Sequence, residues 1–196
     1  MRGHFGIKKV GHTGTLDPFA SGVLLILTGK ATKKSEALTG MEKQYLAEIE
    51  FGIETDSYDI DGKITKTCDE LPNINQDQIE SELKSFVGDI KQIPPMFSAV
   101  KYKGRRLYKY ARQGIKVDLN PRKVRIEKIN LVSFEWPCIN IDVTCSKGTY
   151  IRSLANDLGK KIGTGAYLKS LVRTRIGPYY LKDSYELNDL LKLREV

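Results

Sequence analysis

The sequence predicts an α+β fold whose sheet is mixed and largely antiparallel, and three observations support this prediction. Some short segments show the two-residue alternation of strands, whereas others place apolar residues at helical spacing. The two kinds of segment do not follow the regular strand–helix–strand order that builds a parallel sheet. A chain of 196 residues, 40% of them apolar and 29% charged, can bury one full core. We therefore expect a sheet flanked by helices.

The first part of the chain predicts short elements around a glycine-rich loop. The apolar run at 23–27 predicts a buried strand. The sequence KATKKSEAL, residues 30–38, is compatible with the start of a helix. Residues 44–51 alternate between two faces, which predicts a strand. Its hairpin partner is expected near residues 63–64, across the turn DSYDIDG.

The middle of the chain predicts two helices. Asn75 followed by Gln78 indicates a capping box, and apolar residues continue at helical spacing as far as Val87. Residues 105–113 also have helical spacing, which Gly114 closes.

The last third predicts long strands and a buried helix. Residues 123–134 and 139–145 alternate around a turn, so they predict two strands. Residues 150–158 predict a helix with an apolar inner face that ends at Gly159. Residues 166–176 form another ordered segment, whose type the pattern leaves open.

The net charge of +8 is unevenly distributed along the chain. Residues 36–90 contain 14 Asp/Glu and 4 Lys/Arg, whereas residues 91–128 contain 12 Lys/Arg and 2 Asp/Glu. Residues 147–175 add 7 Lys/Arg and one Asp. A basic surface on an acidic body indicates a polyanionic partner such as nucleic acid, although a solvated lysine-rich surface has the same composition.

Composition argues against export, a membrane span and a metal centre. The longest apolar run is far too short to cross a bilayer, and no signal-peptide pattern opens the chain. Cys68, Cys138 and Cys145 are odd in number and form no C-x-x-C pair, which favours reduced thiols in a cytoplasm. With 2 histidines in the whole chain, we expect no histidine-rich metal site.

The stretch GHTGTLDPFASG, residues 11–22, places three glycines around one acid, Asp17, with Pro18 behind it. It lacks the patterns of phosphate-binding loops, and its acid would repel a phosphate. A positioned carboxylate can act as a nucleophile or a general base, and glycines let nucleic acid approach closely. The pattern alone leaves open a catalytic Asp17 or a simple Asp-Pro turn.

A basic and aromatic segment, residues 91–116, predicts an RNA-binding insertion. Its tyrosines interleave with cations, and nucleic-acid-binding surfaces combine stacking rings with cations that bind phosphates. The alternative is a helix with ordinary aromatic packing, for which Tyr108 is the best candidate. The cations predicted to bind RNA are Lys101, Lys103, Arg105, Arg106, Lys109 and Arg112.

Arg152 lies on the otherwise apolar face of the helix predicted at 150–158. A buried arginine needs an anion, because an unpaired charge in the core is strongly destabilising. Its partner is either a structural acid such as Asp157 or the acid of the glycine-rich loop, Asp17. An ion pair with Asp17 would fix that carboxylate and favour its ionised form.

Four motifs resemble the TruB family of tRNA pseudouridine synthases and cover most of residues 8–177 in the expected order. They are KKVGHTGTLDPFASGVLLILTGKATK, EKQYLAEIEFGIETDSYDIDG, IPPMFSAVKYKGRRLYKYARQG and CSKGTYIRSLANDLGKKIGTGAYLKSLVRTRIG. The GHTGTLDP form and the basic insertion are more similar to the bacterial stand-alone enzymes than to the guide-RNA-dependent archaeal and eukaryotic relatives. The resemblance implies the pseudouridine synthase fold, with residues 91–116 as its thumb-like insertion.

The resemblance also implies a reaction, the isomerisation of uridine 55 in the T-arm of tRNA by base flipping, without a cofactor or metal. It implies Asp17 as the catalytic aspartate, which either attacks the ribose or assists glycal formation. Arg152 would pair with Asp17, and Tyr45 would stack on the flipped uracil and could move a proton. Leu171 would pack on the other side of the base, and His12 would fill the space that the nucleotide leaves.

We expect one catalytic domain at 1–184 and a short C-terminal tail at 185–196, too short for a full PUA-type domain. Residues 187–193 in this tail predict a short apolar helix. The resemblance implies a cytoplasmic monomer that binds the T-arm of tRNA and needs no protein partner or membrane.

Two alternatives to catalysis on tRNA remain. Family members normally carry a strand with a Lys-Pro-x-Gly motif before the region in which this chain starts. That departure favours, as an alternative, a non-catalytic protein that binds or folds tRNA. A carboxylate–metal nuclease that uses Asp56, Asp59 and Asp61 has weaker support, because SYDIDG departs from a calcium loop and is better interpreted as an acidic turn.

Overall fold

The computed structural model describes residues 2–192 of the chain. The strands of this part are β1 (Val10–His12), β2 (Ser21–Gly22), β3 (Ile26–Thr28), β4 (Lys43–Phe51), β5 (Ile53–Thr55), β6 (Ile64–Thr67), β7 (Gly88–Gln92), β8 (Lys101–Tyr102), β9 (Arg105–Arg106), β10 (Arg122–Glu135), β11 (Cys138–Cys145), β12 (Ala166–Ile176) and β13 (Tyr179–Tyr180). The helices are α1 (Arg2–Phe5), α2 (Ser35–Gly40), α3 (Gln76–Lys84), α4 (Leu107–Ala111), α5 (Ile151–Ile162) and α6 (Leu187–Lys192), with 3₁₀ helices at Gly29–Lys34 and Leu181–Asp183.

One main sheet organises the fold. Its strands run in the order β13-β12-β4-β11-β10-β7, and β2 pairs with β12 outside this path. These pairings are antiparallel, except that β2 runs parallel to β12. The short pairs β1–β3, β5–β6 and β8–β9 form separate two-stranded ribbons. The predicted α+β class with a mixed, largely antiparallel sheet is confirmed.

The hydrophobic core lies on one face of the main sheet, which α3 and α5 cover. The alternation at 44–51 places Ala47, Ile49 and Phe51 on this face, where each is at most 2% exposed. Leu154 and Leu158, four residues apart on α5, are fully buried against them because that spacing puts both on one side of the helix. The packing of α5 on the sheet also fixes the position of its first turn, which carries Arg152.

Most predicted elements are present. The predicted strands at 123–134 and 139–145 correspond to β10 and β11, and the open segment at 166–176 is the strand β12. The predicted capping box begins α3, where the Asn75 side chain accepts the N–H of Gln78 at 3.0 Å. The Gln78 side chain in turn accepts the N–H of Asn75 at 2.9 Å.

One strand prediction near the N-terminus is wrong, and a second is confirmed only in part. Of the run at 23–27, only its last two residues enter a strand, β3, and the exposed fractions of Leu24 and Ile26 are 39% and 38%. Only Val23 contacts the main sheet, where its N–H donates to the carbonyl of Arg173 on β12 at 2.8 Å, whereas Ile26 and Leu27 pair with β1. A hairpin does cross the acidic turn, and its second strand β6 begins at Ile64 as expected, but its first strand is β5. The predicted first strand, β4, pairs instead with β11 and β12.

The prediction that a helix ends at Gly159 is also wrong. The helix continues to Ile162 and ends at Gly163, whose φ of 91° is the left-handed conformation typical of a helix C-terminus. Gly159 is needed for another reason. A Cβ at this position would collide with the backbone of Gly165 and Ala166, which begin β12, so only glycine permits this close approach.

The C-terminal part agrees with the expected short helix as far as the structure describes it. The helix α6 spans Leu187–Lys192. The predicted helix ends at Leu193, which lies outside the described residues together with the rest of the tail, residues 194–196. Met1 at the other end of the chain also lies outside them. The division into a domain at 1–184 and a tail at 185–196 stays a prediction.

Candidate active site

A cavity of about 930 Å³ opens where the glycine-rich loop, the first residues of β4 and the first turn of α5 meet. Asp17, Tyr45 and Arg152 all line it. Residues 97–99 and part of α4, from the basic segment, form another wall. The volume lies in the range of sites that enclose a small organic ligand.

The glycine-rich loop is held on β12 at its C-terminal end. Gly22 pairs in parallel with Arg173, and Gly14 and Gly22 have φ values of 122° and 106°. A Cβ on Gly22 would collide with the backbone of Arg173. Glycine is required at this position for its conformation and for its close approach, and it fixes the end of the loop that carries Asp17.

Replacing Gly22 with alanine is expected to destabilise the chain by about 1–3 kcal/mol, because the new Cβ adds strain at a positive φ to a collision with backbone. The measurement is the free energy of unfolding in urea. Gly11→Ala is the matched control in the same loop, since its Cβ would make only an ordinary contact with Thr32 at 3.9 Å. Equal changes in the two variants would contradict this account of Gly22.

Arg152 connects the glycine-rich loop to the acidic turn. Its side chain is 4% exposed, and its Nη2 lies 2.9 Å from Oδ1 of Asp17. Its Nη1 lies 3.0 Å from Oδ2 of Asp59. The same two nitrogens donate to the carbonyls of Ser57 and Phe97 at 3.1 and 3.0 Å. The sequence left open a structural acid or Asp17 as the partner, and the structure shows both kinds, because Arg152 pairs with Asp17 and with the buried Asp59 rather than with Asp157.

The pairing of Asp59 with Arg152 was not foreseen from the sequence, which offered Asp59 only as a candidate ligand of a metal nuclease. It is 4% exposed and accepts hydrogen bonds from the Ser57 hydroxyl and from the N–H of Asp61. Its carboxylate compensates the buried guanidinium on the side away from Asp17. A chemical argument could have predicted a second acid near Arg152. A buried guanidinium has five N–H donors, and one half-buried carboxylate cannot satisfy all of them.

The electrostatics of Asp17 differ from the expectation. Burial raises the pKa of Asp17, and this effect is larger than the lowering by the Arg152 guanidinium. The nearby carboxylate of Asp59 raises the pKa of Asp17 further. Arg152 does favour the ionised form, as expected, but the net shift is upward. A carboxylate with a raised pKa is a better base and nucleophile than an exposed one.

Tyr45 lies on β4 at the cavity, and its environment keeps its phenol neutral. Burial raises the pKa of Tyr45 to about 12, although the neighbouring Arg173 guanidinium opposes this shift. At neutral pH the ring therefore offers an aromatic face and a hydroxyl, both of which suit an uncharged base.

The basic segment forms a lobe over the cavity. Leu107 is fully buried and anchors α4, whose N–H groups at Leu107 and Tyr108 donate to the carbonyls of Val100 and Ser98. Tyr108 and Arg112 line the cavity with the Arg112 guanidinium 5.4 Å from the Tyr108 ring, and Arg106 lines it too. The other predicted RNA-binding cations lie in the same lobe, at Lys101, Lys103, Arg105 and Lys109.

The acidic turn contributes Asp56, Asp59 and Asp61 to the cavity wall. Asp56 accepts the N–H of Lys63 at 2.9 Å, and Asp59 is engaged by Arg152. Within residues 2–192, no three His, Cys, Asp or Glu side chains are arranged to hold a metal ion. In the same part of the chain, no helix has the length and apolar character needed to cross a membrane.

Comparison with known families decides the affiliation. The model of the N-terminal domain of the TruB family of pseudouridylate synthases matches residues 2–151. The chain belongs to the TruB family. The model of the tRNA pseudouridylate synthase B C-terminal domain matches residues 152–195, so the two models together cover nearly the whole chain.

Curated relatives of this TruB-family chain carry the name tRNA pseudouridine synthase B. The protein of Dehalococcoides mccartyi strain 195 is 51% identical over 192 residues, which are 97% of this chain and 63% of that protein. The protein of Francisella tularensis subsp. novicida is 47% identical over 189 residues, 96% of this chain and 63% of that protein. The chain thus spans less than two thirds of the length of these relatives.

Solved structures of Cbf5 share the fold. A Cbf5-Nop10-Gar1 complex matches with a TM-score of 0.73 and 29% identity, over 97% of this chain and 47% of that chain. An H/ACA RNP bound to a substrate RNA containing 2′-deoxyuridine matches with a TM-score of 0.71 and 26% identity, over 97% and 46% of the two chains. The first of these structures is a complex of Cbf5 with Nop10 and Gar1, and a monomer without a protein partner stays a prediction for this TruB-family chain.

Two residues whose roles came only from the TruB resemblance lie beside the cavity lining. His12 is exposed on β1, directly before the cavity residue Thr13. Leu171 is 6% exposed within the core, on β12 two residues before the cavity residue Arg173. Since side chains two apart on a strand share a face, Leu171 lies on the face that borders the cavity. Their proposed contacts with RNA stay predictions.

Proposed function

We propose that this chain isomerises uridine to pseudouridine at position 55 in the T-arm of tRNA, on a uridine that is flipped into the cavity. The observation that carries the proposal is the pairing of Asp17 with Arg152 at 2.9 Å inside a cavity roofed by a basic lobe. Membership in the TruB family and the name of the curated relatives support the reaction and the class of RNA.

Asp17 is the group proposed to act on the ribose. In one route a carboxylate oxygen bonds to C1′ while the bond from C1′ to N1 breaks and its electron pair leaves with uracil. In the other route the carboxylate removes a ribose proton and a glycal forms as uracil leaves. In the first route C5 of the rotated uracil then bonds to C1′ as the bond from C1′ to the carboxylate breaks. In the second route C5 bonds to C1′ of the glycal as the protonated carboxylate returns the ribose proton. In both routes C5 then loses its proton and N1 of uracil takes one up. Either route needs the ionised Asp17 that Arg152 orients.

Tyr45 and the basic lobe are proposed to receive the RNA. The neutral phenol of Tyr45 offers a ring on which uracil can stack. Extraction of a base costs a few kcal/mol of stacking, which pocket contacts must offset. The cations of residues 101–112 supply phosphate contacts, and their binding weakens as salt increases.

The position of the modified uridine is testable with a tRNA transcript. We expect one pseudouridine, at position 55, when the product is mapped by carbodiimide modification and reverse transcription. The matched control is the transcript with cytidine at position 55, which should acquire none. Modification at another position, or of both transcripts alike, would contradict the assignment of the T-arm uridine.

A further inference from the structure

A second charged wall lines the cavity, and its charge is positive where that of the acidic turn is negative. Lys43, Lys147 and Arg173 all line the cavity. Lys43 is 6% exposed and Arg173 is 2% exposed, whereas Lys147 is exposed on the loop that leads into α5. Two of the three cations are thus almost completely removed from water, where an uncompensated charge is costly.

None of these three cations has a carboxylate within ion-pair distance among residues 2–192. Lys43 donates to the carbonyls of Thr39 and Met41, both at 2.6 Å, so one of its three N–H groups is left over. Arg173 donates to the carbonyls of Val23 and Gly14 at 2.7 and 3.2 Å. Carbonyl dipoles orient these groups but do not neutralise them.

The nearby acidic groups do not supply the missing anion. Glu42 is paired with Arg175 at 2.6 Å. Burial raises the pKa of the Cys145 thiol to about 12, so it is neutral at pH 7. Burial lowers the pKa of the Lys43 ammonium, and the Arg173 and Lys147 charges lower it further. The sheet register agrees, because Tyr45, two residues after Lys43, pairs with Arg173, and Cys145, two residues before Lys147, pairs with Lys43.

A neutral donor belongs to the same wall. Thr13 is fully buried and lines the cavity, and its hydroxyl has no hydrogen-bond partner among the described residues. Its neighbour Gly14 is the residue whose carbonyl Arg173 holds. A buried hydroxyl without a partner is costly, and an acceptor bound at this wall would satisfy it.

We propose that Lys43, Lys147 and Arg173 form a subsite for one phosphodiester group of the bound RNA, with the Thr13 hydroxyl as a further donor. The inference rests on the proposed function, because it takes its ligand from the RNA that enters the cavity. A phosphodiester carries the charge that this wall lacks, whereas a uracil carbonyl would leave the cations uncompensated. The subsite anchors the backbone while Asp17 acts on the sugar.

The test pairs protein variants with RNA in which single phosphates are neutral. T-arm stem-loops carry one methylphosphonate at each linkage in turn, and their affinities are measured for the wild-type chain, Lys43→Met, Lys147→Met and the exposed control Lys66→Met. We expect neutralisation of one particular linkage to lower the affinity of the wild-type chain about tenfold, which is the effect of losing a hydrogen bond to a charged group. That cost should disappear in Lys43→Met and Lys147→Met and persist in Lys66→Met.

Salt dependence gives an independent readout. The slope of log affinity against log salt should fall by about 0.7 in Lys147→Met, the value for one single-strand phosphate. Lys147 is exposed, so this variant keeps its fold even if the buried Lys43 variant does not. The variants could instead lower the affinity by the same factor whichever linkage is neutral, in a chain that still binds and modifies the stem-loop. That result would overturn the proposed subsite but not the proposed function. A wild-type chain that binds no tRNA would overturn the proposed function as well.

Discussion

Asp17→Asn is expected to slow pseudouridine formation by at least about 10⁴-fold, because the amide can neither bond to C1′ nor accept a ribose proton. The side chain keeps its size, so the loop and the contact with Arg152 should survive. The measurement is single-turnover release of tritium from C5 of a labelled T-arm uridine. Undiminished turnover in this variant would remove Asp17 from the chemistry.

The stability of the same variant separates a catalytic role from a structural one. Folding raises the pKa of Asp17, so the folded chain binds this proton more tightly than the unfolded chain does. The ionised carboxylate is therefore unfavourable for folding at neutral pH, and its contribution improves as pH falls through the raised pKa. We expect the melting temperature of Asp17→Asn at pH 7 to be no lower than that of the wild type. A clear decrease would show that Asp17 mainly stabilises the fold.

Arg152→Met is expected to lose both activity and stability. The change leaves Asp59, whose side chain is 5% exposed, without its cation, and it also frees the carbonyls of Ser57 and Phe97. Breaking a buried pair by removing one partner costs about 3–5 kcal/mol. Urea unfolding measures this loss, and tritium release measures the loss of turnover from a misplaced Asp17.

Two further variants make the result specific. Arg125→Met removes an arginine that pairs on the surface with Asp89 and Glu127, and it should change stability little. The double variant Arg152→Met/Asp59→Asn should recover part of the stability, because the orphaned carboxylate is gone, but none of the activity. Equal effects of the Arg152 and Arg125 changes, or full activity in Arg152→Met, would contradict the role given to Arg152.

The fold was predictable where local pattern and tertiary packing agree. Alternation marked β4, and the Asn75 capping box marked α3, because both signals are contained within a few residues. The apolar run at 23–27 was misassigned because hydrophobicity does not say which residues of a run pair with a neighbouring strand, and only Ile26 and Leu27 belong to β3. The helix α5 continues past Gly159 because this glycine permits close packing against Gly165 and Ala166 and does not end the helix, a distinction that the residue type alone does not reveal.

The site was predictable only in part for the same reason. Asp17 was marked by its glycine-rich loop, and Arg152 by its position on an apolar helix face. Asp59 and the buried cations Lys43 and Arg173 enter the site through contacts between strands, turns and loops far apart in sequence. Their charges look like ordinary surface charges in the sequence, and burial alone reveals that they need partners.

Release of tritium from a T-arm stem-loop labelled at C5 of its target uridine tests the central claim most directly. Formation of the bond between C5 and C1′ displaces the label, so the wild-type chain is predicted to release one tritium per stem-loop over repeated turnovers. Tight, salt-dependent binding of the stem-loop without any release of tritium would contradict the claim and would indicate a protein that binds tRNA without modifying it.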